Sequence, residues 1–179
     1  MLRQRVGSPI SYQSIAEDAG ISPNTVKKYI KILEALYIIF SVRPFAKNIA
    51  RSLAKEPKIY FFDAGLVEGN PGIIFENFVA TCLIKHVMAK IDYDAEDYQL
   101  HYLRTREKQE VDFALTKKEK IIQIIETKLT DHQISTSLEY FHYKYNLPAI
   151  QIVKNLKQEY QKNGIEVMHA INFLKALKL

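Results

Sequence analysis

The chain has 179 residues, 47% of them apolar and 25% charged, which is enough to bury a core in one domain or two small ones. No apolar run has the roughly 20 residues that a membrane helix needs, and no signal peptide is visible, so we expect a cytoplasmic protein without a membrane partner. A single cysteine, Cys82, excludes an internal disulfide, and the net charge of +5 is compatible with an anionic partner.

The first third of the chain has the pattern of two short helices followed by a hairpin. Ser11 can cap a helix over residues 12–19 that Gly20 ends, and Ser22 with Pro23 can start the next one. The second helix carries a stripe at helical spacing, formed by Thr25, Val26, Tyr29, Ile30, Leu33 and Leu36. Two helices joined by a short, glycine-containing turn predict a helix-turn-helix.

The hairpin that follows would have strands at residues 38–43 and 58–62, around a loop at 44–57 that would form a wing. Glycines and a proline in the next stretch predict a linker. The predicted domains are therefore a winged helix-turn-helix over 1–64, a linker over 65–72 and a second domain over 73–179.

The second domain alternates helices and strands. Its first helix, over residues 73–90, is expected to bury Phe75, Phe78, Val79, Cys82, Leu83 and Val87. Strands are predicted at 99–104, 110–115, 120–128, 149–153 and 165–169, and further helices at 135–145 and 172–179. This order predicts an α/β (α+β) fold with a mixed sheet, in which the strand after the second helix runs parallel to a neighbour.

The hairpin within this domain carries the candidate chemistry. Glu126 and Lys128 must share a face of their strand, because side chains alternate. Asp112 joins them if the hairpin pairs residues whose numbers sum to an even value, which would put the two carboxylates roughly 5 to 8 Å apart. Such a pair can share one Mg²⁺, and Lys128 can stabilise developing negative charge. The alternative is a solvated strand end, and the residues alone leave both interpretations open.

A set of motifs in a fixed order resembles a known family. Asp112 followed by Glu126-Thr127-Lys128 matches the (D/E)-x-K signature of the restriction-endonuclease-like, PD-(D/E)xK, nuclease superfamily, and Glu76 lies on a preceding helix that also fits. The whole chain resembles the winged helix plus nuclease-like region, long catalogued as a domain of unknown function, that follows the AAA-type ATPase module of many bacterial and archaeal proteins. The segments that carry this likeness are Thr25-Val26-Lys27-Lys28-Tyr29 with Leu33-Glu34, Lys58 to Leu66, Phe75-Glu76-Asn77, Tyr102 to Thr105, Glu110 to Phe113 and Glu126 to Lys128.

The resemblance implies roles for these residues. Asp112 and Glu126 would bind Mg²⁺ or Mn²⁺ with help from the Thr127 carbonyl, Lys128 would be the catalytic lysine, and Glu76 would complete the site. The chain contains no G-x-x-x-x-G-K-[ST] phosphate loop, so we expect it not to bind ATP. The chain would then be either a fragment of a longer protein or an orphaned domain; we expect a fragment, with an ATPase module upstream.

Basic residues suggest where DNA would bind. Lys27, Lys28 and Lys31 lie on the exposed side of the second helix and could meet phosphates and bases. The alternative is a solvated or protein-docking face, and both stay open. A second basic cluster in and beside the wing consists of Arg43, Lys47, Arg51, Lys55 and Lys58.

The remaining polar and aromatic residues have less specific expectations. Arg104 and Arg106 could touch a substrate phosphate or balance Glu107 and Glu110, and Glu110 is a candidate further carboxylate of the site. Four aromatic residues are expected to serve helix packing rather than base stacking: Tyr140, Phe141, Tyr143 and Tyr145. The scattered histidines do not predict a zinc site.

Two functions follow from these observations. The first is a metal-dependent DNA endonuclease with a winged helix for DNA or protein docking. The alternative is a catalytically inactive nuclease-fold module that binds DNA or protein and regulates an ATPase. The oligomeric state is left open, a homo-oligomer included.

Overall fold

A computed structural model describes residues 1–46, 56–130 and 133–177, over which the chain forms five α-helices and eight β-strands. The helices are α1 Tyr12–Ala19, α2 Pro23–Ala35, α3 Pro71–Asp94, α4 Thr136–Tyr145 and α5 Ala170–Ala176. The strands are β1 Ile39–Pro44, β2 Lys58–Phe61, β3 Tyr98–Arg104, β4 Glu110–Lys117, β5 Lys120–Thr130, β6 Ala149–Asn155, β7 Tyr160–Lys162 and β8 Ile165–His169. The predicted α+β class is therefore confirmed, and β7 is an element that the sequence pattern did not predict.

The first two helices start where their capping residues indicate. The Ser11 side chain accepts a hydrogen bond from the Ser14 N–H, and Ser22 caps α2 in the same way through the Thr25 N–H. Gly20 ends α1 in the left-handed conformation, at φ +65°. The predicted stripe on α2 is only partly buried, because Val26 and Ile30 enter the core while Tyr29, 57% exposed, and Leu36, 62% exposed, face outward.

One mixed sheet of eight strands, in the order β2-β1-β3-β4-β5-β6-β8-β7, runs through the described part of the chain. The hairpin of β1 and β2 belongs to it, since β1 pairs in parallel with β3 at Arg43↔His101 and Pro44↔Tyr102. The predicted division at residues 65–72 is thus not marked by a break in the sheet. The strand after α4 is parallel to its neighbour β5, as predicted. The tip of the predicted wing, with Lys47, Arg51 and Lys55, lies outside the described residues.

Two apolar cores cover the two faces of the sheet. α3 packs on the face that includes Phe113 and Ile125, together with residues of α1, α2 and the β1–β2 hairpin. α4 packs on the face that includes Ala114 and Ile124. Of the α3 residues expected inside, Phe78 is 47% exposed and that expectation is wrong, whereas Cys82 and the others are buried.

By length and composition alone α3 could also cross a membrane, since its 24 residues include a window of mean hydropathy 1.3. The expectation that no segment is long and apolar enough is therefore wrong for α3. In the fold, 44% of that window is buried within the protein, where α3 serves as the core helix against the sheet. The absence of a membrane partner stays a prediction.

Candidate active site

Glu76 is brought to the sheet by its neighbour Asn77. Asn77 is fully buried, and its side-chain amide accepts from the Phe61 N–H and donates to the Phe61 carbonyl, both at 2.8 Å. The amide thus replaces a neighbouring strand at the edge of β2 and satisfies both backbone groups. The first turn of α3, which carries Glu76, is thereby fastened against β2.

The Glu76 carboxylate meets residues of the N-terminal third of the chain. The Tyr60 hydroxyl donates a 2.7 Å hydrogen bond to Glu76 Oε1, and Lys58 Nζ lies 3.7 Å from the same oxygen. Gly7, at φ +74°, approaches so closely that a Cβ there would lie 2.8 Å from Oε1. Glu76 is therefore enclosed by the segment that was predicted to be a separate domain.

Lys58 belongs to this site rather than to the wing. Its side chain is 1% exposed, and its ammonium forms a 2.7 Å ion pair with Glu110 in addition to the contact with Glu76. It also lies 5.3 Å from the centre of the Tyr102 ring. The interpretation of Lys58 as part of a basic DNA-binding cluster is wrong, because a buried, paired ammonium cannot meet a DNA phosphate.

In the β4–β5 hairpin, the pairs next to Asp112 and Glu126 join residues whose numbers sum to an even value. Near the turn, Lys117↔Lys120 and Thr116↔Ile121 have odd sums, but a bulge at Ile122 shifts the register, and Leu115↔Gln123 and Phe113↔Ile125 have even sums. Continuing by one pair places Asp112 opposite Glu126. The predicted condition for bringing these two carboxylates together is therefore met, through an irregularity that the sequence pattern did not reveal.

Asp112 itself lies in a second bulge. β3 pairs His101 with Ala114 and Leu103 with Val111, so β4 has one extra residue in this interval. The Asp112 carboxylate accepts from the Thr127 N–H at 2.9 Å and from the Thr127 hydroxyl at 2.7 Å, both on Oδ2. Thr127 was expected to contribute its carbonyl, whereas its two donors orient Asp112. Bulges of this kind are common next to active sites, where they redirect a side chain.

Glu126 and Lys128 are paired directly. Lys128 Nζ lies 2.7 Å from Glu126 Oε1. Glu126 is only 5% exposed, and within the described residues its Oε2 atom is buried with no hydrogen-bond donor in bonding geometry. A buried carboxylate oxygen without a donor is costly, which makes Oε2 available to a ligand.

The electrostatics tie the three carboxylates together. Burial, followed by the negative charge of Asp112, raises the pKa of Glu76 to about 8, against the lowering effect of Lys58 and Tyr60. Burial and Asp112 likewise raise the pKa of Glu126 to about 7, although Lys128 and the nearby Ser135 hydroxyl lower it. Burial and nearby like charges both disfavour the ionised form of a carboxyl group and so raise its pKa. A cation between the carboxylates would stabilise their ionised forms.

The two lysines of the site stay charged. Burial alone would lower the pKa of Lys58, but Asp112, Glu76 and Glu110 outweigh it and the net shift is upward. Burial also lowers the pKa of Lys128, but the carboxylates of Glu126, Asp112 and Glu76 together outweigh it and the net shift is upward. Both side chains therefore supply fixed positive charge.

The carboxylates do not form a ready-made metal cage. In residues 1–46, 56–130 and 133–177, no three or more His, Cys, Asp or Glu side chains are grouped so that they could hold a metal ion. Asp112 is close enough to Glu76 and Glu126 to raise the pKa of each, and the Glu126 Oε2 is an oxygen ligand of the type that Mg²⁺ and Mn²⁺ accept. The donor set fits such an ion, but the ligands would have to close around it.

Of the two arginines, only Arg104 contacts a residue of this cluster. Arg104 forms a 3.0 Å ion pair with Glu110, which is the balancing role that was one of its two expectations. Arg104 and Arg106 also line a cavity of about 1070 Å³. Its wall includes Tyr102, Tyr140, Lys144 and Tyr145. Glu110, expected as a further site carboxylate, bridges Lys58 and Arg104.

The α4 aromatic residues and the α2 lysines differ in how far they are exposed to solvent. Phe141 is buried and Tyr145 stacks on it at a centroid distance of 5.9 Å, although Tyr143 and Tyr145 are more than half exposed. On α2, Lys27, Lys28 and Lys31 are exposed as expected. Three large apolar residues share the exposed surface of this helix: Tyr29, Ile32 and Leu36.

Sequence reasoning missed Gly7, Tyr60 and Gln151 as parts of the site. Gln151 pairs with Glu126 across the parallel β5–β6 ladder, is fully buried, and accepts from the Ser135 N–H at 2.9 Å. A polar residue within the apolar run of β6 was the available signal for Gln151. For Gly7 and Tyr60, no local pattern indicated a contact with Glu76.

Comparison with protein families gives two matches. The family described as "Domain of unknown function (DUF4143)" matches residues 71–173, and the one described as "Domain of unknown function (DUF8612)" matches residues 1–70. No curated protein and no solved structure matches the chain. The boundary between the two matches falls at the start of α3, between Tyr60 and Glu76.

Proposed function

The chain belongs to the family described as domain of unknown function DUF4143, and we propose that it is a divalent-metal-dependent nuclease that cleaves DNA phosphodiesters. The observation that carries the proposal is the Oε2 atom of Glu126, which is buried near the negative charge of Asp112 and has no donor in bonding geometry among the described residues. Oxygen ligands of this kind suit Mg²⁺ or Mn²⁺, which keep further positions for water and phosphate oxygens. Asp112 and Glu126 would hold the ion, and Glu76 would approach it from α3.

The bound ion would supply Lewis-acid polarisation of the scissile phosphate. The other contributions come from side chains. Two donors of Thr127 fix the orientation of the Asp112 carboxylate. Lys128, held 2.7 Å from Glu126, would supply positive charge where negative charge develops on the phosphoryl group. Arg104, which lines the neighbouring cavity and pairs with Glu110, would contact a flanking phosphate.

Incubation of the full chain with plasmid DNA and Mn²⁺ tests the proposal. We expect nicking by the wild type and a loss of roughly 100-fold or more in Asp112→Ala, the scale of losing a principal electrostatic contribution. Asp92→Ala, at an exposed position of α3, is the matched control and should cut like the wild type. Equal nicking by wild type and Asp112→Ala would remove the proposal.

A second candidate function is a nuclease-fold module without activity. It is favoured by the internal neutralisation of the site, since ammonium groups already pair with Glu76, Glu110 and Glu126. Calorimetric titration with Mn²⁺ separates the two candidates. Absence of binding, together with intact affinity for DNA, would support the inactive module.

The molecular and cellular context that we propose for this nuclease follows from the family resemblance of its sequence. The DUF4143 match is compatible with a region associated with an AAA-type ATPase. We propose that α1, α2 and the following hairpin act as a winged helix that docks DNA or protein, and that the protein works in the cytoplasm.

A further inference from the structure

We propose that Lys58 and Tyr60 are positioning residues for Glu76, so that the segment matched by DUF8612 completes the site of the segment matched by DUF4143. The inference rests on the proposed function, because only that function makes Glu76 part of a catalytic site. The contacts of Lys58 and Tyr60 with Glu76 do not depend on it. Lys58 and Tyr60 lie within residues 1–70, and Glu76 lies within residues 71–173. Side chains on the two sides of this boundary share one buried cluster.

Tyr60 holds its hydroxyl in one place. The residue is fully buried, and its ring packs against Phe40 and Phe113, at centroid distances of 5.7 and 5.6 Å. Neighbours on both sides thus leave the ring little freedom to move. The 2.7 Å hydrogen bond to Glu76 Oε1 is therefore directed by the packing of the sheet, not by a mobile side chain.

Lys58 supplies a fixed charge on the same oxygen. Its ammonium is buried between Glu76 and Glu110 and above the Tyr102 ring. A buried ammonium is stable only with its partners in place. Any rotation of Glu76 away from the site would leave this charge with one carboxylate fewer, so Lys58 opposes that rotation.

Gly7 closes another side of Glu76. Its backbone pairs loosely with β2, through a 3.5 Å hydrogen bond from the Gly7 N–H to the Ile59 carbonyl. A side chain at this position would collide with the Glu76 carboxylate. α3 supplies Glu76, but the direction of its carboxylate is decided by three residues of the N-terminal segment.

A purely structural role is the competing explanation, in which these contacts only fasten α3 to the sheet. Tyr60→Phe separates the two, because it removes the hydroxyl and keeps the ring in the core. Tyr102→Phe is the matched control, since its hydroxyl donates a bond of the same length, 2.7 Å, to the Glu56 carbonyl instead of Glu76.

The first readout is the carboxyl ¹³C resonance of Glu76, assigned by its loss in Glu76→Gln. We expect Tyr60→Phe to move this resonance and Tyr102→Phe to leave it in place. With DNA and Mn²⁺, Tyr60→Phe should lower kcat about tenfold at unchanged KM, the factor that corresponds to one hydrogen bond to a charged group. An unmoved resonance in Tyr60→Phe overturns the inference, and a moved resonance with unchanged kcat would leave Tyr60 with a structural role only, which also overturns it.

Lys58→Met tests the second residue in the same way, with Lys90→Met as the control. Lys90 forms an ion pair with Asp94 at 3.0 Å on the surface of α3. Only Lys58→Met should move the Glu76 resonance, and an unmoved resonance removes Lys58 from the proposal. If Lys58→Met does not fold, the Glu76 resonance and kcat of Tyr60→Phe alone test the inference. If the wild type fails to cut DNA, the proposed nuclease function fails, while the resonance still decides the positioning role.

Discussion

At the scale of single residues, the site is a balance between carboxylates that repel and lysines that compensate. Glu76 and Glu126 each feel burial and the charge of Asp112, and each has an ammonium within 4 Å. Ammonium groups and a divalent cation would both stabilise the ionised form of these carboxylates. Because the pKa values of Glu76 and Glu126 are still raised, the lysines alone do not cancel the effects of burial and repulsion completely.

The raised pKa values predict a pH-dependent stability. In the folded protein Glu76 and Glu126 keep their protons above the ordinary value of 4.5, whereas the unfolded chain has lost them. The unfolded state then binds fewer protons, so stability falls as pH rises. We expect the free energy of unfolding to decrease from pH 4.5 to about 7 through both residues, and on to about 8 through Glu76.

Urea unfolding at a series of pH values measures this effect. Glu76→Gln should flatten the upper part of the profile, while Glu119→Gln, in the exposed β4–β5 turn, should leave it unchanged. A wild-type stability that stays constant between pH 4.5 and 8 would contradict the prediction.

At the scale of elements, two bulges and one side-chain clamp build the site. The bulge at Ile122 changes the hairpin register from odd to even, and without it Asp112 would pair with Ile125 rather than Glu126. The bulge in β4 turns the Asp112 carboxylate toward Thr127. The Asn77 amide then fixes the position of α3 along β2, and this also fixes the position of Glu76.

The clamp predicts a large effect of Asn77→Ala. This substitution leaves the buried N–H of Phe61 without its partner, while the Phe61 carbonyl keeps the Thr81 hydroxyl at 3.1 Å, and we expect a loss of roughly 2 kcal/mol in the free energy of unfolding. Denaturant titration measures it, with Asn24→Ala on the exposed side of α2 as the control. A loss within experimental error of the control would show that α3 is held by its apolar contacts alone.

At the scale of the whole molecule, the predicted winged helix and the predicted nuclease domain share a sheet, a core and a site. β1 joins β3, one apolar cluster extends from α1 to β6, and Lys58 reaches Glu76. If the N-terminal segment binds a partner, as we propose, that partner would lie on the element that also contacts Glu76. We propose the exposed α2 surface for this contact.

The α2 lysines provide a test of which partner this is. If Lys27, Lys28 and Lys31 contact DNA phosphates, replacing all three with Gln should weaken DNA binding and reduce the slope of log K against log salt by about 2.7, or 0.9 for each contact. Fluorescence anisotropy at several salt concentrations measures the slope. An unchanged slope would assign α2, with its exposed Tyr29, Ile32 and Leu36, to a protein partner.

The sequence by itself determined the local structure of this protein. Caps, turn residues and apolar periodicity act over a few neighbours, so α1, α2 and most strands begin and end within a few residues of their predicted bounds. Alternation along β5 likewise determined that Glu126 and Lys128 share a face. The (D/E)-x-K motif named the carboxylates through resemblance, which no spacing argument could do for Glu76.

Only the tertiary structure decided what surrounds those carboxylates. The position of Asp112 depends on an extra residue in each of two strands, and bulges leave no signal in a period-two pattern. In the sequence, Lys58 is one more basic residue near a loop. In the fold, β2 packs against α3, and Lys58 is buried there as the partner of Glu76 and Glu110. Contacts between residues distant in sequence arise from packing, and packing made one site from two predicted domains.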